Sequence, residues 1–234
     1  SCCQGDCSMK RLFGMILAIV WLGAGSAAVA QGQAGTVSSL KGSAVAQAPG
    51  GSARSLSEGS EILQNDTITT ESDSSVSLIF LDETTFEIGE DAAIVIDQFV
   101  YQPGSVGGSF AANILKGGFK FVSGNVAKGG VNTMRVRTPV ATIGVRGTNV
   151  TGSATASSAQ IILLEPDDGR QTSIEVANQF GQVVIDEPGF GTDVPDASSP
   201  PSPPRRFEQN AINNILRSFR SVTPRLSVPR PRRP

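Results

Sequence analysis

The 234-residue chain is predicted to be all-β: short stacked strands in a β-solenoid or jelly-roll-like body, followed by a C-terminal linker and one amphipathic helix. Beyond residue 35 the sequence is a succession of short β-branched runs broken by Gly, Asn, Asp and Ser, and no apolar pattern at helical spacing occurs before residue 207. Glycine reaches 26 residues and proline 14, while charged residues fall to 17%, below the roughly 25% of an average globular chain. That composition suits short strands and many turns.

The first element is an address. From Met9, two cations at Lys10 and Arg11 precede an apolar stretch from Leu12 to Leu22 and small residues ending Ala28-Val29-Ala30. This is the order of a secretory signal peptide over 9–30, with cleavage expected after Ala30 and a mature chain beginning at Gln31. The competing reading is an uncleaved anchor over 12–30, close to the ~20 residues a membrane helix needs. No Cys stands at the expected cleavage point, which argues against a lipoprotein. Residues 1–8 precede the first methionine and are expected to be an upstream extension. Cys2, Cys3 and Cys7 all lie there, so the body has neither a disulfide nor a Cys-based metal site.

The expected β body covers 31–186. Candidate strands are Thr36–Leu40, Ser43–Gln47, Ser60–Leu63, Thr67–Thr70, Ser75–Leu81, Thr84–Ile88, Ala93–Asp97, Ser109–Leu115 and Phe119–Ser123. They continue with Met134–Thr138, Ala141–Val145, Asn149–Gly152, Ala159–Leu164, Thr172–Val176 and Gln182–Ile185. Turns are expected at Pro49-Gly50-Gly51, Gln64-Asn65-Asp66, Gly89-Glu90-Asp91, Pro103-Gly104, Gly117-Gly118, Gly129-Gly130 and Asp167-Asp168-Gly169. The run Val76 to Leu81 becomes continuously apolar, as in a strand covered on both sides. Alternation instead assigns Phe86/Ile88 and Ile94/Ile96 to a core face.

Two stretches carry a family resemblance. Gly59 to Thr70 and Ser74 to Ile88 combine a Gly-x-x-Ile turn, the Asp66-Thr67-Ile68-Thr69-Thr70 strand and an apolar strand ending Phe80-Leu81-Asp82-Glu83-Thr84. Arg137-Thr138-Pro139-Val140-Ala141-Thr142-Ile143-Gly144-Val145-Arg146-Gly147-Thr148 is the most specific run. Over residues 35–152 the chain resembles the FecR domain of bacterial envelope proteins. One departure is Asp82-Glu83-Thr84 where the family pattern has Asp-Gly-Thr. The resemblance implies a periplasmic or surface interaction module with an envelope protein as partner. Family members that inhibit a sigma factor add a cytoplasmic segment and a membrane helix; with export starting at Met9, no cytoplasmic part is expected here.

Physically, Thr138, Pro139, Gly144, Arg146, Gly147 and Thr148 suit a structural corner. Proline fixes one backbone angle, the glycines allow sharp bends, and Arg146 can lay its fork on carbonyls or an acidic neighbour. Ligand binding by Arg146 is the alternative.

Bond-making chemistry has few candidates. The absence of histidine removes the commonest metal ligand and general base. The acidic pairs Asp82/Glu83, Glu90/Asp91 and Asp167/Asp168 sit at turns and read as solvated carboxylates, without a calcium-loop pattern. Gly107-Gly108 and Gly129-Gly130 lack the Lys-Ser/Thr ending of a phosphate loop. With one Trp and one Tyr there is little to stack on bases, so no nucleic-acid partner is expected. The expectation is a non-enzyme with no catalytic residues, no cofactor and no metal.

The carboxy-terminal arm differs in charge. Residues 31–196 carry nine Lys+Arg against nineteen Asp+Glu, and 197–234 carry eight Arg against one Glu. Residues 187–204, rich in Pro, Gly and Ser, read as a linker. An amphipathic helix is expected over 205–223, with Phe207, Ala211, Ile212, Ile215, Leu216, Phe219 and Val222 on one stripe, opposite Arg217 and Arg220. A Pro/Arg tail follows over 224–234. The helix can dock on the β body, the basic arm can lie on anionic membrane, or the stripe can take a partner. The chain is thus expected to be an exported, periplasmic or secreted binding or structural module. A signalling component anchored through 12–30 is the alternative.

Overall fold

The structure, a computed structural model, describes residues 32–103, 108–130, 133–166, 172–217 and 219, all within one compact unit. The expected signal segment lies outside them. The first half of the described chain forms strands β1 (Gln33–Lys41), β2 (Ala44–Gln47), β3 (Ala53–Ser55), β4 (Glu61–Leu63), β5 (Thr67–Thr70), β6 (Ser75–Phe80), β7 (Thr85–Ile88) and β8 (Ala93–Tyr101). The second half adds β9 (Gly108–Val122), β10 (Met134–Arg137), β11 (Thr142–Arg146), β12 (Asn149–Ala154), β13 (Ala159–Leu164), β14 (Ser173–Asn178), β15 (Gly181–Ile185), β16 (Phe190–Val194) and β17 (Arg205–Arg206). A single α-helix among the described residues, α1 (Gln209–Arg217), closes them.

The strands divide into two facing sheets. One runs β4-β1-β6-β7-β9-β12-β13-β16-β17; the other runs β3-β2-β5-β8-β9-β10-β11-β14-β15. Among the described pairings only β9–β10 is parallel. A solenoid stacks parallel strands, so of the two architectures expected the two-layer, jelly-roll-like one is nearer.

Strand β9 belongs to both sheets. Its first half pairs with β8 and β10, its second with β7 and β12. The expected turn at Gly117-Gly118 is therefore a bend inside one 15-residue strand. Gly117 takes φ 101°, and a Cβ there would sit 2.2 Å from the Ala92 Cβ, so both conformation and space exclude a side chain.

Between the sheets lies an aromatic core. Phe80 of β6 meets Phe99 of β8 at 5.7 Å between ring centroids and Phe110 of β9 edge-on at 4.9 Å. Phe86 of β7 stacks on Phe121 at 5.2 Å. Aromatic pairs in such offset and edge-on arrangements add about 0.5–1.5 kcal/mol each beyond the area they bury. Ile62, Ile68, Ile94, Ile96, Ile143 and Val145 extend the same cluster along both sheets.

Three expectations are corrected. In β6 only Val76, Leu78 and Phe80 face the core; Ile79 is 41% exposed and the following Leu81 53%, because nothing among the described residues covers that end of the first sheet. Residues 187–204 are not a plain linker. Within them β16 pairs with β13, burying Thr192 and Val194, and Ser202 donates to the Asp193 carbonyl at 2.9 Å while its own carbonyl accepts from the Thr192 hydroxyl at 2.6 Å. Composition suggested too little apolar surface to order the segment, yet ladder and side-chain hydrogen bonds to the existing sheet do so. The helix is also shorter than 205–223, since Arg205 and Arg206 pair with β16 as a strand.

Candidate functional site

The Arg137 to Thr148 run spans both ends of β11, and its residues separate into two tasks. At one end Thr138, Pro139, Val140 and Ala141 make the turn from β10 to β11. The Thr138 N–H donates to the Ala141 carbonyl at 2.8 Å, and the Ala141 N–H donates to the Thr138 hydroxyl at 3.1 Å. Pro139 occupies the second turn position, where its fixed φ fits. At the other end Gly147, at φ 57°, turns the chain from the second sheet into β12 of the first. Buried Thr148 then donates its N–H to the Ser123 hydroxyl at 2.7 Å, and its carbonyl accepts from the Ser123 N–H at 3.0 Å, fastening the corner to the end of β9.

Arg146 takes no part in that fastening. It is exposed, and neither a hydrogen bond nor an ion pair joins its side chain to another described residue. Alternation along β11 buries Ile143 and Val145 and turns Thr142, Gly144 and Arg146 outward. The register then carries the outward residues across the sheet. Gly144 lies between Arg135 and Glu175, and Arg146 opposite Ser173. An open groove of about 390 Å³ follows, lined by Arg146, Thr172, Ser173, Val184 and Asp186. A second depression of about 340 Å³ adjoins it across Gly144 and Glu175. Further along the same face Arg137 sits 3.8 Å from Asp97, which also accepts from the Asn113 amide.

Thr172, Ser173, Val184 and Asp186 were not among the residues singled out from sequence. The signal that could have found them is the hairpin register. Once β14 and β15 are paired around Gly181, outward alternation places Ser173 and Val184 beside Arg146.

The helix residues have a different fate. Phe207 and Ile212 are buried against Ile162 of β13, with Leu164, Ala211, Ile215 and Leu216 packed around them, and Phe219 is buried beyond the helix end. Arg205 stacks over the Phe207 ring at 4.0 Å and pairs with Asp193 at 2.7 Å. The stripe thus covers the outer face of the first sheet near β12 and β13, and Arg217 stays exposed. Arg220 and Val222 lie outside the described residues.

The turn carboxylates are not all solvated. Asp82 is 0% exposed and accepts from the Thr84 N–H at 3.0 Å, the Thr84 hydroxyl at 2.8 Å and the Val126 N–H at 3.1 Å. Asp66 is buried too, bonded to the Leu63 N–H and the Arg54 guanidinium. Glu90 and Asp91 are exposed as expected; Asp167 and Asp168 lie outside the described residues. Ser198 and then Ser199, by hydrogen bonding, hold the exposed Asp196 carboxyl below its usual range. Among the described residues no three of His, Cys, Asp and Glu gather as a metal site, and no helix is long and apolar enough to cross a membrane.

The described residues form an all-β domain of two facing sheets that carries the Arg137 to Thr148 run. Residues 66–167 match the family model described as FecR protein. Two crystal structures from Parabacteroides distasonis ATCC 8503, each described as a candidate anti-sigma factor, are similar at 12% identity. The first has a TM-score of 0.48 and covers 64% of this chain and 63% of its own; the second has 0.46, with 64% of each. No curated protein matches the chain.

Proposed function

We propose that the protein is an exported, non-enzymatic FecR-domain module that works by contact in the bacterial periplasm or at the cell surface, with another envelope protein as its partner. The observation that carries this reading is the FecR match at 66–167, placed behind a segment, 9–30, with the order of a secretory signal. The outer face of the second sheet supports contact as the mode of action, since it presents charged side chains of both signs, Arg146, Arg137, Glu175 and Asp97. Crosslinking in native cells followed by identification of the captured envelope protein tests the partner; capture that survives charge reversal across this face rejects it as the contact surface.

The second reading is a signalling or regulatory component held in the membrane through residues 12–30, and the near-spanning length of that segment favours it. Intact mass of the native protein separates the two: a chain starting at Gln31 supports export and release, and retention of 9–30 supports anchoring. Attachment of the basic arm to anionic lipid belongs to the arginines beyond the docked helix, because the apolar stripe is already occupied. Co-sedimentation with anionic vesicles, lost on deleting 220–234, is the expected result.

A further inference from the structure

Arg146 is an exposed cation that the described part of the fold does not use. The pairing Arg146↔Ser173, and the β14–β15 register of Ile174↔Ile185 continued by one residue, put Arg146, Ser173 and Asp186 in one row across three strands. Two strand spacings of about 4.8 Å each then separate a guanidinium-bearing backbone from a carboxylate-bearing one, with a serine between them. Thr172 lies on the floor, 6% exposed, and its hydroxyl has no hydrogen-bond partner among the described residues. Val184, 54% exposed, supplies an apolar wall.

The charges select the ligand. A plain anion on Arg146 would lie beside the carboxylates of Asp186 and Glu175, on a body with nineteen acidic and nine basic residues over 31–196. A plain cation would leave Arg146 unmatched and repelled. A molecule with a carboxylate and an ammonium group satisfies both ends at once, and Arg146 offers a bidentate fork for the first. We propose that this groove binds a small zwitterion of the α-amino-acid class, with its carboxylate on Arg146, its ammonium toward Asp186 and its side chain along Val184. The site goes beyond the module reading and does not depend on where the protein resides.

Isothermal titration calorimetry of the full chain tests it, using glycine, leucine, lysine and glutamate in turn, then N-acetyl-leucine and leucinamide. At least one free amino acid is expected to bind, and each blocked form to bind about tenfold more weakly or worse, as loss of a charge-assisted contact requires. Arg146→Ala and Asp186→Asn are each expected to weaken binding by about the same factor without moving the unfolding midpoint, because both side chains are exposed. Heat from none of the four amino acids at millimolar concentration overturns the proposal. So does equal binding of N-acetyl-leucine, which would make it an anion site, or of leucinamide, which would make it a cation site. Binding unchanged in Arg146→Ala places the ligand elsewhere. None of these outcomes bears on signal cleavage or partner capture, which test the module reading separately.

Discussion

The buried carboxylate of Asp82 accepts a hydrogen bond from the backbone N–H of Val126 at 3.1 Å, joining the β6–β7 turn to the short 3-10 helix Val126–Gly129 that follows β9. The same oxygen accepts from the Thr84 hydroxyl, which itself accepts from the Gly124 N–H at 2.9 Å. One side chain therefore satisfies backbone donors from its own turn, at Thr84, and from the segment beyond β9, at Val126. Asp82→Ala leaves those donors buried and unpaired, and a loss of about 3 kcal/mol is expected, since each unsatisfied buried group costs about 1–3 kcal/mol. Asp82→Asn keeps one acceptor oxygen and is expected to lose about half as much. Urea unfolding followed by circular dichroism measures both; equal stability of Asp82→Ala and the parent would refute the role.

Glu83, beside it, takes φ 70° without being glycine. A left-handed conformation costs a residue with a Cβ about 1–2 kcal/mol. Its carboxylate recovers part of that through a 3.2 Å bond from the Asn125 amide at the surface. Glu83→Gly removes the strain and restores the Asp-Gly-Thr pattern of the family, so a gain of about 0.5–1 kcal/mol is expected. A raised thermal midpoint confirms it. A lowered one would mean that the Asn125 bond outweighs the backbone term.

These two neighbours show what the sequence could and could not disclose. The turn at Asp82-Glu83-Thr84 was legible from its residue types. The burial of Asp82 was not, because it depends on Val126 and Gly124 arriving from the far side of β9. Strand positions followed from local alternation, whereas β16 was hidden by a composition that mimics a linker and is ordered by pairing with β13. Gly117-Gly118 looked like a turn because glycine pairs usually are; here the residues bend a strand between sheets. Arg146 stood out as part of a motif, yet its groove needs Ser173 and Asp186, placed only by sheet register.

Gly147 and Gly124 separate conformation from space. At Gly147 a Cβ would meet nothing within 4 Å, so Gly147→Ala carries only the backbone cost of φ 57°. A loss of about 1–2 kcal/mol with an intact fold is expected. At Gly124 a Cβ would sit 2.2 Å from the Asp82 carbonyl oxygen and 2.4 Å from the Thr84 nitrogen. Both are backbone atoms inside the turn network, so Gly124→Ala has no cheap relief and is expected to lose more than Gly147→Ala. Comparing the two urea midpoints decides it, and a smaller loss at Gly124 would contradict the packing.

The docked helix is expected to release on its own. Its contacts form a small cluster of Ile162, Phe207 and Ile212, distinct from the core between the sheets. Phe→Ala in a core costs about 3–5 kcal/mol. That is more than a nine-residue helix holds by itself, since helices shorter than about 12 residues are marginal in water without packing. Phe207→Ala should therefore free α1 while the two sheets stay folded, their Phe80, Phe99 and Phe110 contacts being untouched. Hydrogen exchange by mass spectrometry is expected to show lost protection over 209–217, with β6, β8 and β9 as slow as in the parent. Because β17 pairs with β16 immediately before the helix, protection at Phe190–Val194 is the sensitive boundary. If exchange rises through β13 and β12 as well, the helix is part of the cooperative core and not a separately docked element.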